Sequence, residues 1–553
     1  MMDVASCLEA GNFDHPWPSL SELYAASILG RVPSALFLNE DGLYAVTHVI
    51  MFFYRFGSRP ASIPPHQVAA VRALLSTLLI VIAQESHWDL LAELLLCWEA
   101  IGYAPTTTSE RAWETLLARQ DTEGAIPGPQ WAAPLYAAAE KLGTIKPEAA
   151  YFSHHYHTTL VAIIAICLKR RNLRPELRGR PALAAASPRA AAGRSRGRAL
   201  SDAPAPAGAS AASAADLAPA PNAAATAAAP AAAPAAAAAA RGAARWLAGL
   251  AATVCRYPGA RRDTLCRLVL GCHLAAGAAP DEAAALRPAL LRVAARLRGG
   301  RTPAPDSYDD VPPLLALAAA GALDAAGFRV PSLNGPDGLA ARAAELLAAV
   351  PAADPAADLA LADKRALLYG MDLHPAPCGV TAAELVSCAR SLPSAMSAAS
   401  LERLLAHAGS LTGWGVRRVD LGSDRPWLEE LLSATAIRLL RAYDLVHAAR
   451  VLRAAIHLGL GGGAWREGMD FLLLQQRPEG SFGLFAAEEQ KIGRARPEFQ
   501  PATDLHLLPT VECLWTLAES GGWRLVESLR PARANPLPPP ARPLTEVDST
   551  RSA

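Results

Sequence analysis

Lysine, net charge, paired cysteines and long apolar runs are all scarce in this sequence, and each scarcity removes a class of function. Of 52 basic residues only five are lysines (Lys141, Lys146, Lys169, Lys364 and Lys491), and 51 acidic residues bring the net charge to +1. No basic field is available to gather nucleic acid or an anionic membrane surface, so neither is expected as a partner. The cysteines (Cys7, Cys97, Cys167, Cys255, Cys266, Cys272, Cys378, Cys388 and Cys513) form no C-x-x-C pair and are odd in number. That usage fits reduced, buried thiols in a cytoplasm. The longest apolar runs, residues 74–83 and 160–168, fall short of the roughly 18–20 residues that cross a bilayer, so they read as buried core helices rather than membrane spans. The opening segment MMDVASCLEAGNFDHPWP carries Asp and Glu where an export signal carries Lys or Arg. A cytoplasmic location is therefore expected.

What is present is a long chain with enough apolar residues for a large core. Its 553 residues are 52% hydrophobic, a share inflated by alanine, and 19% charged. One composition shift divides it. From about 178 to 242, Ala, Pro, Gly, Ser and Arg replace bulky apolar residues, so too little apolar surface remains to offset the entropy of ordering. This stretch reads as a disordered linker between an N-terminal part, 1–177, and a C-terminal part, 243–527. Residues 528–553 repeat its character as a tail. In both parts apolar residues recur at three- and four-residue spacing without strand-like alternation, which predicts an all-α fold. Expected helices are 19–36, 41–56, 66–84, 89–102, 110–120 and 156–170 in the first part, about three helical pairs. The second part holds about six, with segments at 244–256, 261–276, 281–298, 425–442, 444–459, 464–476 and 504–519.

An internal repeat links the two parts. Residues 116–124, LLARQDTEG, match 472–480, LLLQQRPEG, with Gln120, Glu123 and Gly124 facing Gln476, Glu479 and Gly480. Upstream, Asp89-Leu90 and Asp444-Leu445 each open a helix. Downstream, a helix starts from His157 in one copy and His506 in the other. The element Gln120-Asp-Thr-Glu-Gly124-Ala-Ile126 and its counterpart Gln476-Arg-Pro-Glu-Gly480-Ser-Phe482 resemble the QW repeat of squalene and other terpene cyclases. More loosely they resemble the helical pairs of the α/α-toroid class, which includes protein prenyltransferases and lanthionine cyclases. Ile126 and Phe482 replace the family tryptophan. The glutamine is expected to staple backbone groups at the helix end, while glycine takes the outward turn. The family's catalytic signatures are missing. There is no D-x-D-D acid motif, Asp306-Ser-Tyr-Asp309-Asp310 having the wrong spacing, and no DD-x-x-D cluster. Cys272-His273 lacks the glycine and partner cysteine of a lanthionine-cyclase zinc site and reads as core packing. The glycine run Gly461 to Gly463 reads as a helix-helix turn.

The resemblance implies inner helices at 41–56, 89–102 and 156–170 that run parallel and open at one mouth. That end collects Tyr44 and His48, Asp89 and Glu93, and His155 with His157. The second part adds Asp444, His447 and His506. Helix N-termini are expected to hold these histidines neutral and these aspartates ionised. Acid-base work by His48 and His157 with Asp89 orienting them, ligand contacts from Tyr44, Glu93, His155, Asp444, His447 and His506, and a metal held by two histidines and a carboxylate all fit this composition. Structural roles fit too, Asp89 and Asp444 being good helix caps. The expected function is binding of a mostly apolar small molecule or peptide in a helical cavity, in bacterial specialised metabolism. Catalysis and cofactor are left open. A non-catalytic helical scaffold that binds a partner protein is the alternative.

Overall fold

In the computed structural model, helix follows the apolar spacing nearly throughout. The structure describes residues 1–174 (without 60), 229–299 (without 257–259), 313–328, 355–373, 379–390, 397–484 and 500–530 (without 501), with a few isolated residues between. Among them there is α-helix, short 3-10 and π segments and no strand, only one antiparallel bridge between Gln476 and Phe482. The fold class is all-α. The chain divides into two compact units that part near residue 230.

The N-terminal unit holds α1 (Met2–Ala10), α2 (Leu20–Ala26), α3 (Glu40–Phe53), α4 (Val68–Gln84), α5 (Trp88–Ile101), α6 (Thr107–Leu117), α7 (Ala133–Lys141) and α8 (Pro147–Asn172). Every residue of α5 from Trp88 to Ala100 is buried, and α3, α4, α6 and α8 pack around it. A helix that is apolar on all sides needs such a central place. The expected helix at 19–36 is broken. Ser27 caps the turn that follows α2 by accepting from the Leu29 amide, and two short 3-10 turns replace the rest. The helix expected from 156 begins at Pro147, a residue suited to a first helical position. Helices α1 and α7 escaped the sequence reading; α7 buries no residue, so it carries no apolar signal.

The second unit holds α9 (Ala229–Val254), α10 (Arg262–Ala278), α11 (Ala283–Gly299), α12 (Pro313–Ala325), α13 (Pro355–Gly370), α14 (Ala382–Arg390), α15 (Ala398–Thr412), α16 (Arg425–Arg441), α17 (Leu445–His457), α18 (Gly463–Leu474), α19 (Leu507–Ser520) and α20 (Leu525–Ser528). Helix α9 corrects the linker boundary, because residues 229–242 are helical. Their alanines are not idle: Ala236, Ala239 and Ala240 are buried. Residues 178–228 of the expected linker and 531–553 of the expected tail lie outside the described residues, as does the Asp306–Asp310 cluster. Leu529, expected in the tail, is buried in the core. Cys272 is likewise buried, its thiol pushed up to about 12 by desolvation. Its neighbour His273 has Nε2 at 2.8 Å from Ser528 Oγ. The pair serves packing.

The repeat has a backbone signature. Gln120 Nε2 donates to the Gly124 carbonyl at 3.0 Å, and Gln476 Nε2 donates to the Gly480 carbonyl at 2.9 Å. Thr159 Oγ1 accepts from the Ile126 amide and Thr510 Oγ1 from the Phe482 amide, both at 2.9 Å. Ile126 and Phe482 are both buried. Upstream, Ser86 and Tyr443 both take positive φ (58° and 61°), each just before a residue whose side chain caps the next helix, His87 in one copy and Asp444 in the other. This register shifts two landmarks. His87, not Asp89, corresponds to Asp444, and with the threonines aligned, His155, not His157, corresponds to His506.

The two turns differ in what surrounds them. A Cβ on Gly480 (φ +104°) would lie 2.1 Å from the Gly242 carbonyl oxygen, whereas one on Gly124 (φ +84°) meets nothing within 4 Å. Gly480→Ala should cost its unit about 3 kcal/mol or more in urea unfolding, from strain plus overlap, and Gly124→Ala only about 1–2 kcal/mol. Equal costs would remove α9 from the second turn. His273 supplies a pH test. Burial lowers its pKa to about 4, against about 6.5 in the unfolded chain, so the unfolded state binds the proton first. Stability of the second unit should be intact above pH 6.5 and fall by up to about 3 kcal/mol between pH 6.5 and 4. His273→Gln, followed by thermal melts across that range, should flatten this part of the profile.

Candidate functional site

Three helices of the N-terminal unit bring their polar residues together because they run the same way. Tyr44 of α3 and His157 and Thr158 of α8 meet Asp89 at the start of α5, and Asn172, at the end of α8, donates to Glu99 near the end of α5 at 2.9 Å. At the opening end, Asp89 and Glu93 lie four residues apart on α5, hence on one face. They are 4% and 1% exposed. Asp89 Oδ1 accepts from Thr158 Oγ1 and lies against His157 Nδ1, each at 2.8 Å, and Asp89 Oδ2 accepts from the Tyr44 hydroxyl at 2.8 Å. Glu93 Oε2 accepts from Thr47 Oγ1 at 2.5 Å, and its other oxygen faces His48 Nε2 at 3.7 Å. The two imidazoles form the open side, each with about half of its side chain exposed (51%).

The electrostatics reverse one expectation. Neither histidine stands at a helix N-terminus: His48 is well inside α3, and α8 starts ten residues before His157. The carboxylates dominate instead. The Glu93 carboxylate facing it raises the His48 pKa, and the hydrogen bond to Asp89 raises that of His157, both against the opposing effect of burial. Burial works to raise the Asp89 pKa, but its bonds from His157, Thr158 and Tyr44 together lower it. Burial and then the Asp89 charge push the Tyr44 phenol upward.

Tyr44, His48, Asp89, Glu93 and His157 are thus brought together, joined by Thr47, which the sequence reading missed. A threonine on an apolar face gives no signal until its helical neighbour is known. Asp89 is not the cap of α5; His87 Nδ1 accepts from the Leu90 amide at 3.3 Å. His155 is turned away, its Nδ1 2.7 Å from the Tyr151 carbonyl, its ring stacked on Tyr151 and its Nε2 3.9 Å from Asp121. Single donor atoms of Asp89, Glu93 and His157 all lie within 4.8 Å of one another. Beside the cluster, His48 also lines an open cavity of about 430 Å³ whose walls include Leu23, Ala45, Val49 and Phe52, with Asp3 and Ser27 among its polar lining.

The second-unit candidates have other partners. Asp444 caps α17 through the His447 amide and lies 2.7 Å from His447 Nδ1. His447 Nε2 is 3.4 Å from Glu402, which binds Arg450 with both oxygens. His506 Nε2 faces Glu489 at 2.5 Å and Arg477 at 2.9 Å. Deeper lies a polar seam that the sequence reading missed. Arg453 pairs with Glu512 at 2.8 Å and stacks 3.8 Å over Trp515, whose Nε1 donates to Glu519 at 2.7 Å, and Glu519 pairs with His457. Asp363 on α13 has its carboxyl pushed up to about 7 by burial.

No helix among the described residues is long and apolar enough to cross a membrane. No curated protein and no solved structure matches this chain. Residues 1–167, the part that carries the converging cluster, match a family model described as a domain of unknown function, DUF6895.

Proposed function

We propose that this is a cytoplasmic protein of bacterial specialised metabolism, built from helical pairs in an α/α-toroid-like arrangement, whose N-terminal unit binds a small, largely apolar molecule with one polar end. The observation that carries the reading is the double position of His48. One side of its ring faces the buried Glu93, and the residue also lines the 430 Å³ cavity. That volume falls within the range of small-molecule sites, and an apolar chamber ending in a few convergent polar groups is their usual form. Ala45, Val49 and Phe52 would take the apolar body, and Tyr44, His48, Asp89, Glu93 and His157 the polar end. The Asp89–His157 contact fixes the imidazole through Nδ1 and leaves Nε2 for a ligand, an arrangement suited to general acid or base work.

A partner-binding scaffold is the second reading, and one observation favours it. Phe152, Tyr156, Leu160 and Ile163, spaced along one face of α8, are all about half exposed or more. Contiguous apolar surface of this kind often marks a protein interface.

Calorimetric titration of the full, metal-free chain with 1-decanol as probe separates the two. Ala45→Trp, which fills the cavity, should abolish binding. Glu93→Gln should weaken it about tenfold, the loss of one hydrogen bond to a charged group. Unchanged binding in Ala45→Trp would remove the cavity from the mechanism. A Leu160→Ser change that leaves decanol binding intact but abolishes association with a partner would favour the scaffold.

A further inference from the structure

Asp89 and Glu93 present a charge problem that their hydrogen bonds do not solve. Two carboxylates, both almost fully buried, occupy adjacent turns of the most enclosed helix of the unit. Among the described residues, their ion-pair partners are His157 and His48, with no lysine or arginine. Burying carboxylates is costly, and proteins meet that cost with a cationic partner or a metal; here the partners are imidazoles that stand half in solvent. Glu93 Oε1 faces its histidine at 3.7 Å, beyond hydrogen-bond reach.

The surroundings are those of a ligand set. Asp89, Glu93 and His157 each offer a donor atom within 4.8 Å of the other two, and side-chain rotation would be needed to bring all three to about 2.1 Å from one ion. The carboxylates are already oriented from behind. Thr47 holds Glu93, and Tyr44 and Thr158 hold Asp89. Such outer hydrogen bonds are the usual support of metal-binding carboxylates. The side facing away from these supports is the half-exposed one, where His48 stands and where coordination positions would stay open to a ligand.

We propose that Asp89, Glu93 and His157 bind one divalent first-row transition ion, with His48 beside it at the open side. Mixed imidazole and carboxylate donors favour manganese, iron or zinc over the all-oxygen preference of calcium and magnesium. The ion would add positive charge beside the two buried acids and make the open side of the cluster Lewis-acidic, which would attract an anionic or carbonyl-bearing ligand head. The inference rests on the same mouth as the binding proposal but not on the cavity.

The test is titration of the chelator-treated full chain with Mn²⁺, followed by electron paramagnetic resonance. This ion has little affinity for thiols, so the exposed Cys7 and Cys167 do not confuse the count. One Mn²⁺ per chain is expected, displaced by one equivalent of Zn²⁺. Glu93→Gln and His157→Gln, which change volume little, should each weaken Mn²⁺ at least tenfold. His155→Ala, next to the cluster but turned away, and His447→Ala should not. Full Mn²⁺ binding by both Gln variants, or none by the parent chain at 1 mM, overturns the proposal. The outcomes are separable from those of the cavity. Decanol binding that is blocked by Ala45→Trp without any Mn²⁺ site leaves the ligand reading standing alone. A Mn²⁺ site that survives Ala45→Trp, in a chain that never binds decanol, leaves the metal standing alone.

Discussion

The N-terminal unit is organised around the burial of two acids on one helix. Helix α5 is enclosed on every side because its apolar residues cover the full circumference, and Asp89 and Glu93 go inside with them. Each neighbouring helix then has to answer for those carboxylates. Helix α3 supplies Tyr44, Thr47 and His48, and helix α8 supplies His157 and Thr158. These donors reach α5 near its start only if the three helices run in the same sense. The parallel arrangement and the polar cluster are therefore one constraint, and the unit cannot keep one without the other.

The same frame is used in the second unit with a different electrostatic answer. Counting from the caps His87 and Asp444, Arg450 stands where Glu93 stands, and Val446 where Asp89 stands. Glu402 on α15 closes on Arg450 with two short hydrogen bonds, where Thr47 on α3 bonds Glu93. One copy pairs its acid with an arginine; the other sets two buried acids against half-exposed imidazoles. Matching turns thus share a scaffold, held by a glutamine amide on the glycine carbonyl and a threonine hydroxyl on the next apolar amide, while the residues between the turns diverge.

Much of this was legible in the sequence, for identifiable reasons. Three- and four-residue apolar spacing gave the helices, and Gln120 with Gly124 and Gln476 with Gly480 gave the repeat, because a turn of positive φ leaves its mark in glycine. His48, Asp89 and His157 could be grouped because the resemblance to α/α-toroids implies inner helices that run parallel. The misses have equally local causes. His87 and Asp444 share a capping role with different chemistry, so matching letters aligned Asp89 with Asp444 instead. Alanine reads as linker when prolines accompany it, although a face of buried alanines is what lets α9 pack closely. The Arg453–Glu512 and His457–Glu519 pairs join helices α17 and α19, some sixty residues apart in sequence, and no local pattern announces such partners.

That divergence also separates pairs closed within the fold from groups that face solvent. A buried ion pair such as that of Arg453 and Glu512 is satisfied within the fold, and breaking it would leave one charge stranded. Its role is to fix which helices meet. The cluster at Asp89 and Glu93 differs in kind, since among the described residues its ion-pair partners are imidazoles that stand half in solvent, and solvent-facing groups are the ones an incoming ligand can engage. Stability alone would be served as well by leucines at positions 89 and 93, because replacing buried polar groups with well-packed apolar ones is often neutral or stabilising. The two acids on the most enclosed helix of the N-terminal unit, with an opening beside them, are where the proposed ligand and ion would be engaged.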